Sequence, residues 1–218
     1  MAKAPKIEWK EAIKPLLKKY KDKKHPLDAR NVYEMLVVVV LSAQSTDDLI
    51  NQISPKLFEA FPDIPALAKA EPEMLWPYII KVRGSKKKAE WLVRIAKEIK
   101  IDKNIPLSME GLVALPGIGR KSANVIMRYA KAPVEGVIVD IHVLRVAPRL
   151  GISESEKAEK IEEDIMEVLP ENEWDAGMAM SFHGREICRP KPLCPECIMK
   201  SVCAYYNGWG MWSKGKKS

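Results

Sequence analysis

Residues 115–142 read LPGIGRKSANVIMRYAKAPVEGVIVDIH, and this stretch decides the fold. It opens on Leu115-Pro116-Gly117-Ile118-Gly119, a tight turn in which proline fixes φ and the two glycines accept dihedrals that a Cβ would forbid. A helix pattern follows at once, with Ala123, Val125, Ile126, Tyr129 and Ala130 at helical spacing. The first-turn N–H groups of such a helix lack intrahelical partners, and with the helix dipole they form an anion site open to a phosphate. Arg120 and Lys121 stand at that helix start, where acids are normally favoured. A turn followed by a solvated basic helix start would account for this much. The string continues, however, to Val139-Asp140-Ile141-His142, an acid after a short apolar run.

Outward from this centre the chain reads as helices. Residues 7–21 have an amphipathic pattern, with Ile7, Ile13, Leu16, Leu17 and Tyr20 on one side. The apolar run from Val32 to Ala43 contains four consecutive valines, which favour a strand by propensity. Its length and the lack of any companion strand make it a buried helix instead. Ser45 or Thr46 can cap the next helix, which is expected to run to about Phe61. Pro62, Pro65, Pro72 and Pro77 are expected to break the chain into short helices. Helix patterns follow over 86–101, 141–150, 155–169 and 173–184, residues 108–114 lead into the central turn, and the acid-rich segment 154–167 reads as a solvated face. The pattern is that of an all-α protein.

The 218 residues carry 36 Lys+Arg against 29 Asp+Glu, a net charge of +7. That balance is compatible with a polyanionic partner. The cations gather at Lys81, Arg83, Lys86, Lys87 and Lys88, and again at Lys214, Lys216 and Lys217. No apolar run approaches the ~20 residues that span a bilayer, and MAKAPKIEWK lacks a signal-peptide core. A cytoplasmic, nucleoid-associated monomer is expected.

Taken whole, LPGIGRKSAN…VDIHVLR resembles the hairpin–helix motif of the endonuclease III family of DNA base-excision glycosylases, in the helix-hairpin-helix–GPD superfamily. The resemblance covers essentially the whole chain. It implies two helical lobes with a cleft between them: a six-helix lobe over 23–133, and a second lobe from 1–22 plus 134–218. It places Lys121 at the family's nucleophilic lysine and Asp140 at its catalytic aspartate, nineteen residues apart. Gly117, Gly119 and Arg120 then face DNA. Leu41-Ser42-Ala43-Gln44-Ser45-Thr46-Asp47 resembles the family's LSAQ-x-TD segment, whose glutamine enters the space left by an extruded base. Alone, Gln44 would be an ordinary polar helix end. His142 and His183-Gly184-Arg185 also match family positions, His142 as a wall of the site and Arg185 as packing or phosphate support.

The family's second wedge, an apolar residue in a G-[FLI]-[YF]-x-x-K-A loop, has no counterpart in Arg83-Gly84-Ser85-Lys86-Lys87-Lys88-Ala89. Arg83, Lys86, Lys87 and Lys88 are expected to supply phosphate affinity instead, unless they form a plain solvated helix start.

Cys188, Cys194, Cys197 and Cys203 follow a C-x5-C-x2-C-x5-C spacing. Four thiolates in so short a segment point to a metal, and Cys₄ ligation suits either zinc or an iron–sulfur cluster. The resemblance implies a [4Fe–4S] cluster. The first interval holds Arg189-Pro190-Lys191-Pro192-Leu193, five residues where the family usually has six, in the loop that presents cations such as Arg189 and Lys191 to DNA.

Three functions remain on this reading. The resemblance implies a bifunctional glycosylase and AP lyase that removes oxidised pyrimidines from double-stranded DNA and cuts at abasic sites. A monofunctional enzyme for mismatched or deaminated bases is disfavoured by Lys121, and a non-catalytic helical DNA-binding module by the retention of both Lys121 and Asp140.

Overall fold

The computed structural model describes residues 5–213, so the basic Lys214, Lys216 and Lys217 lie outside the described residues, as do residues 1–4. Among the described residues there is no strand. They form two compact units, one of residues 24–135 and one of the chain up to 23 together with 136 onward.

The N-terminal segment is two helices rather than one, α1 (Trp9–Ala12) and α2 (Lys14–Tyr20). Pro15 stands in the first turn of α2. It has no N–H to continue the helix above it, which splits the expected 7–21 element. Trp9, Ile13, Leu16 and Tyr20 are buried.

The unit of residues 24–135 contains α3 (Val32–Ser42), α4 (Asp47–Ala60), α5 (Ile64–Ala68), α6 (Pro72–Ile79), α7 (Ser85–Ile99), α8 (Met109–Val113) and α9 (Arg120–Tyr129). α3 is the valine run. Asn31 caps it by accepting from the Glu34 amide, and every residue from Tyr33 to Leu41 is buried. A valine costs up to about 0.7 kcal/mol in a helix relative to alanine. Burying its side chain returns ~1.5–3 kcal/mol, so packing overrides propensity. The buried Glu34 carboxylate is answered by Arg30, whose Nε and backbone N–H both donate to it at 2.7 Å. α3 packs against α4, α7 and α9, and α7 packs against α5 and α6.

The segment does break into the short helices α5 and α6 as expected, though Pro65, Pro72 and Pro77 do not end them. Pro65 and Pro72 occupy the first turns of α5 and α6 and so begin helices, where a missing N–H costs nothing. Pro77 sits inside α6 without ending it.

The other unit adds α10 (Val143–Leu150), α11 (Ala158–Val168), α12 (Ala176–Glu186) and α13 (Ala204–Asn207) to α1 and α2. Its core joins Trp9, Ile13, Leu16 and Tyr20 to Val143, Val146, Ile161, Ile165, Met180 and Phe182. Gly177 on α12 lies so close to residues 137–138 that a Cβ there would come within 2.5 Å of the Ile138 carbonyl oxygen. The acid-rich α11 is not wholly a solvated face, since Glu162 is buried. No helix of the described residues is long and apolar enough to cross a membrane.

Candidate functional site

The turn before α9 is held from beneath by Leu115 and Ile118, both buried. Gly117 has φ +80°, and a Cβ on it would lie 2.5 Å from Cε3 of Trp91. Both conditions require glycine there. Gly119 is a different case. Its φ of −99° suits any residue, and nothing within 4 Å would meet a Cβ. Among the described residues nothing demands a glycine at 119; the space over it is open.

Gly119 is the N-cap of α9 and has no side chain with which to cap its first-turn amides. Arg120 and Lys121 are exposed at this end. Arg120 donates from a guanidinium nitrogen to the Glu135 carbonyl oxygen. The Glu135 carboxylate accepts from the Met109 amide at 3.2 Å, and the Glu135 amide donates to Asn124 Oδ1 at 3.2 Å. The segment after α9 is thereby tied to the start of α8 and the body of α9. Arg120 therefore holds the return of the chain as well as standing at the open helix start.

Gln44 follows the end of α3. It is exposed and has φ +58°, an uncommon conformation for a residue with a Cβ. Thr46 Oγ1 caps α4 by accepting from the Leu49 amide. Ser45 Oγ is buried with no hydrogen-bond partner among the described residues. Most of the basic loop lies at the surface. Arg83 is exposed, and Gly84 takes φ +70° as the N-cap of α7. Lys86 Nζ lies 4.9 Å from the centre of the Trp76 ring, and Lys87 pairs with Glu90 at 3.4 Å, both at the surface.

Lys88 departs from the expected surface cluster: it is 4% exposed. Its Nζ donates to the carbonyl oxygens of Leu41 at 2.8 Å and Ala43 at 2.5 Å. Burial pushes its pKa down to about 8. The physical reason is helical phase. Lys88 lies four residues before Leu92 and seven before Ile95, so it shares their inward face.

In the other unit Asp140 is firmly held. Its Oδ1 accepts from the amides of His142 at 2.8 Å and Val143 at 2.9 Å, at the start of α10. Its Oδ2 accepts from Ser181 Oγ at 2.6 Å, and a guanidinium nitrogen of Arg185 stands 3.9 Å away. Ser181 and Arg185, four apart on α12, thus meet one carboxylate. Ser181 carried no sequence motif, and helical spacing from Arg185 is the signal that could have found it. His142 is half-buried, with Nδ1 3.1 Å from a guanidinium nitrogen of Arg145. Arg145 also donates to the carbonyls of Cys188 and Gly184, at 2.9 Å each.

None of the four cysteines is in a disulfide. Burial pushes those of Cys194, Cys197 and Cys203 upward, Cys203 to about 11, and neighbouring cysteines push the same way. Cys203 Sγ lies 3.1 Å from the Arg149 carbonyl oxygen, and Cys197 Sγ lies 3.3 Å from His183 Nε2. Among the described residues no three His, Cys, Asp or Glu side chains already converge in a metal-holding arrangement. The donor chemistry nevertheless fits a thiophilic metal centre: four soft ligands on one short segment, with Arg149 donating to Cys188 Sγ at 3.6 Å. Arg189 and Lys191 are exposed on the loop between the first two cysteines, with Arg189 Nε donating to the Glu186 carbonyl at 2.9 Å.

Comparison with known proteins places the chain in a family. Residues 37–171 match the HhH-GPD superfamily of base excision DNA repair proteins. Endonuclease III of Thermotoga maritima is 38% identical over 184 residues, covering 82% of this chain and 85% of that one. Endonuclease III of Synechocystis is 35% identical over 181 residues, 81% of this chain and 83% of its own. A solved endonuclease III, trapped as a covalent intermediate with DNA, superposes with a TM-score of 0.83 at 30% identity, covering 93% of this chain and 98% of that one. The chain therefore belongs to the HhH-GPD superfamily and, within it, to the endonuclease III family.

Proposed function

We propose that this protein is a bifunctional DNA glycosylase and AP lyase acting on oxidised pyrimidines and abasic sites in double-stranded DNA. The observation that carries the reading is the exposed start of α9, where two cations follow an open glycine N-cap in a member of the endonuclease III family. The open space over Gly119 suits close approach of a phosphate to backbone amides.

An enzyme that acts on a base must first take it out of the stack, at a cost of a few kcal/mol. Gln44 fills the gap and offsets that cost. The neutral Lys121 amine attacks C1′ of the sugar as the N-glycosidic bond breaks, and the base leaves with a proton. Positive charge develops on the sugar, and the Asp140 carboxylate stabilises it. Ser181 and the two backbone amides hold that carboxylate in one orientation. Ring opening gives an imine between Lys121 and C1′. The imine acidifies C2′, a proton leaves, and the C3′–O bond to the phosphate breaks. Water then releases the lysine. His142 walls the site, while Arg83, Arg120, Lys86, Lys87, Arg189 and Lys191 meet phosphates.

Cys188, Cys194, Cys197 and Cys203 would hold a [4Fe–4S] cluster. Such a group supplies a cross-link that orders the loop bearing Arg189 and Lys191. The purified protein should then be yellow-brown, with broad absorbance near ~400 nm. Metal analysis giving one zinc and no iron would replace the cluster with a zinc site. The protein is taken to act as a nucleoid-associated monomer.

Base release and strand breakage, measured separately on duplexes carrying oxidised pyrimidines, test the function. Both should occur, in equal amounts at completion. Base release that leaves the strand intact would favour the monofunctional alternative.

A further inference from the structure

The end of α3 raises a question that the proposed roles leave open: what keeps Gln44 where it is? A helix normally closes in the left-handed region on glycine, because a Cβ is unfavourable there. Gln44 adopts φ +58° nonetheless. The Ser45 amide bonds back to the Ser42 carbonyl at 2.9 Å, while the Ser45 hydroxyl is buried without a partner among the described residues. The loop is therefore not held by its own contacts alone. The last carbonyls of α3 point out of the helix end and need donors from elsewhere. The ammonium of Lys88 reaches two of them, at Leu41 and Ala43, on either side of Ser42. It carries the sign that a helix C-terminus attracts.

We infer that Lys88 is a positioning residue for Gln44: by clamping the Leu41 and Ala43 carbonyls it fixes the direction in which the chain leaves α3, and so the direction of the glutamine. This rests on the reading of Gln44 as the residue that enters the DNA stack. The lysine itself meets no phosphate, because it is 4% exposed and its ammonium is spent on the protein's own backbone. Its neighbours Lys86 and Lys87 are the exposed ones. A basic run that looks uniform thus divides into two tasks.

The test combines Lys88→Met, which keeps the stem and removes the charge, with Gln44→Ala and the double variant, all with the cluster loaded and thermal melts recorded. Single-turnover excision at saturating enzyme should slow in Lys88→Met by about tenfold, and the salt slope of binding to undamaged duplex should stay unchanged. The double variant should be no slower than Gln44→Ala alone, since Lys88 works through that side chain. A salt slope reduced by about 0.9 would make Lys88 a phosphate ligand and overturn the inference. So would a double variant whose loss is the product of the two single losses, or a Lys88→Met enzyme at full speed beside a slow Gln44→Ala. If Gln44→Ala itself excises at the normal rate, the assigned role of Gln44 fails, and the inference with it. Should Lys88→Met melt below the assay temperature, Lys88→Arg decides. The longer cation must displace the loop and slow excision at an unchanged salt slope, and normal excision would overturn the inference.

Discussion

Two helix ends in the unit of residues 24–135 each carry a lysine, and they are opposite in every respect. At the C-terminus of α3, Lys88 is buried and donates to the carbonyls that the helix leaves open. At the N-terminus of α9, Lys121 is exposed beside the glycine N-cap of the helix. The first cation has the sign the helix dipole attracts, worth ~0.3–1 kcal/mol at a surface and up to ~2 kcal/mol when partly buried. The second has the sign the dipole repels. The dipole and the two carbonyls offset part of what burying the first charge costs, whereas a charge placed against the dipole needs a purpose outside the fold. That contrast separates the structural lysine from the candidate nucleophile, although the sequence writes both as basic residues at helix ends.

The largest expected effect lies at the open end. Lys121→Gln should abolish borohydride trapping on abasic DNA while leaving duplex binding close to normal. Undiminished trapping would erase the contrast, because Lys121 would then be one more solvated cation.

Asp140→Asn comes next, with an expected loss of excision on the order of 10²-fold or more, since a neutral amide cannot balance charge developing on the sugar. The variant keeps an oxygen for the His142 and Val143 amides, so the start of α10 should survive and the melting temperature should change little. Normal excision would leave Asp140 as a helix cap and nothing more.

Lys86→Ala with Lys87→Ala sharpens the division of the basic run. Each phosphate deprived of its lysine should lower the log–log salt slope by about 0.9, with little change in single-turnover excision. An unchanged slope would make both residues surface partners of Trp76 and Glu90 only.

The smallest effect is the pH dependence of the closed end. The pKa of Lys88 is about 8 in the folded chain, against an ordinary 10.5. Between those values the unfolded chain holds more protons, so this group's contribution to stability rises with pH across that window. Urea titrations from pH 8 to 10 should therefore show a steeper rise for the wild type than for Lys88→Met. Parallel curves would mean that burial does not depress this lysine.

Much of this was legible in the residues. The turn at 115–119 is written in proline and glycine, whose backbone restrictions act locally, and Gly117 at φ +80° obeys them. The buried helix α3 could be read from the length of its apolar run. The cysteine spacing marked its segment without help from the fold. What escaped depends on long-range geometry. Three consecutive lysines look alike until the phase of α7 turns one of them inward, although the stripe Leu92–Ile95–Ile99 already carried that phase. Ser181 gains its meaning from a carboxylate forty-one residues earlier in the chain. The prolines at 15, 65 and 72 were readable as punctuation, but whether each closes a helix or opens one is decided by the carbonyls around it.

The central claim is that the amine at the open end of α9 performs the chemistry. Borohydride trapping of the wild-type protein on abasic duplex, followed by peptide mapping of the adduct, tests it most directly. The account predicts a single cross-linked peptide with the DNA remnant on Lys121. An adduct on any other lysine, or on the N-terminal amine, would contradict it.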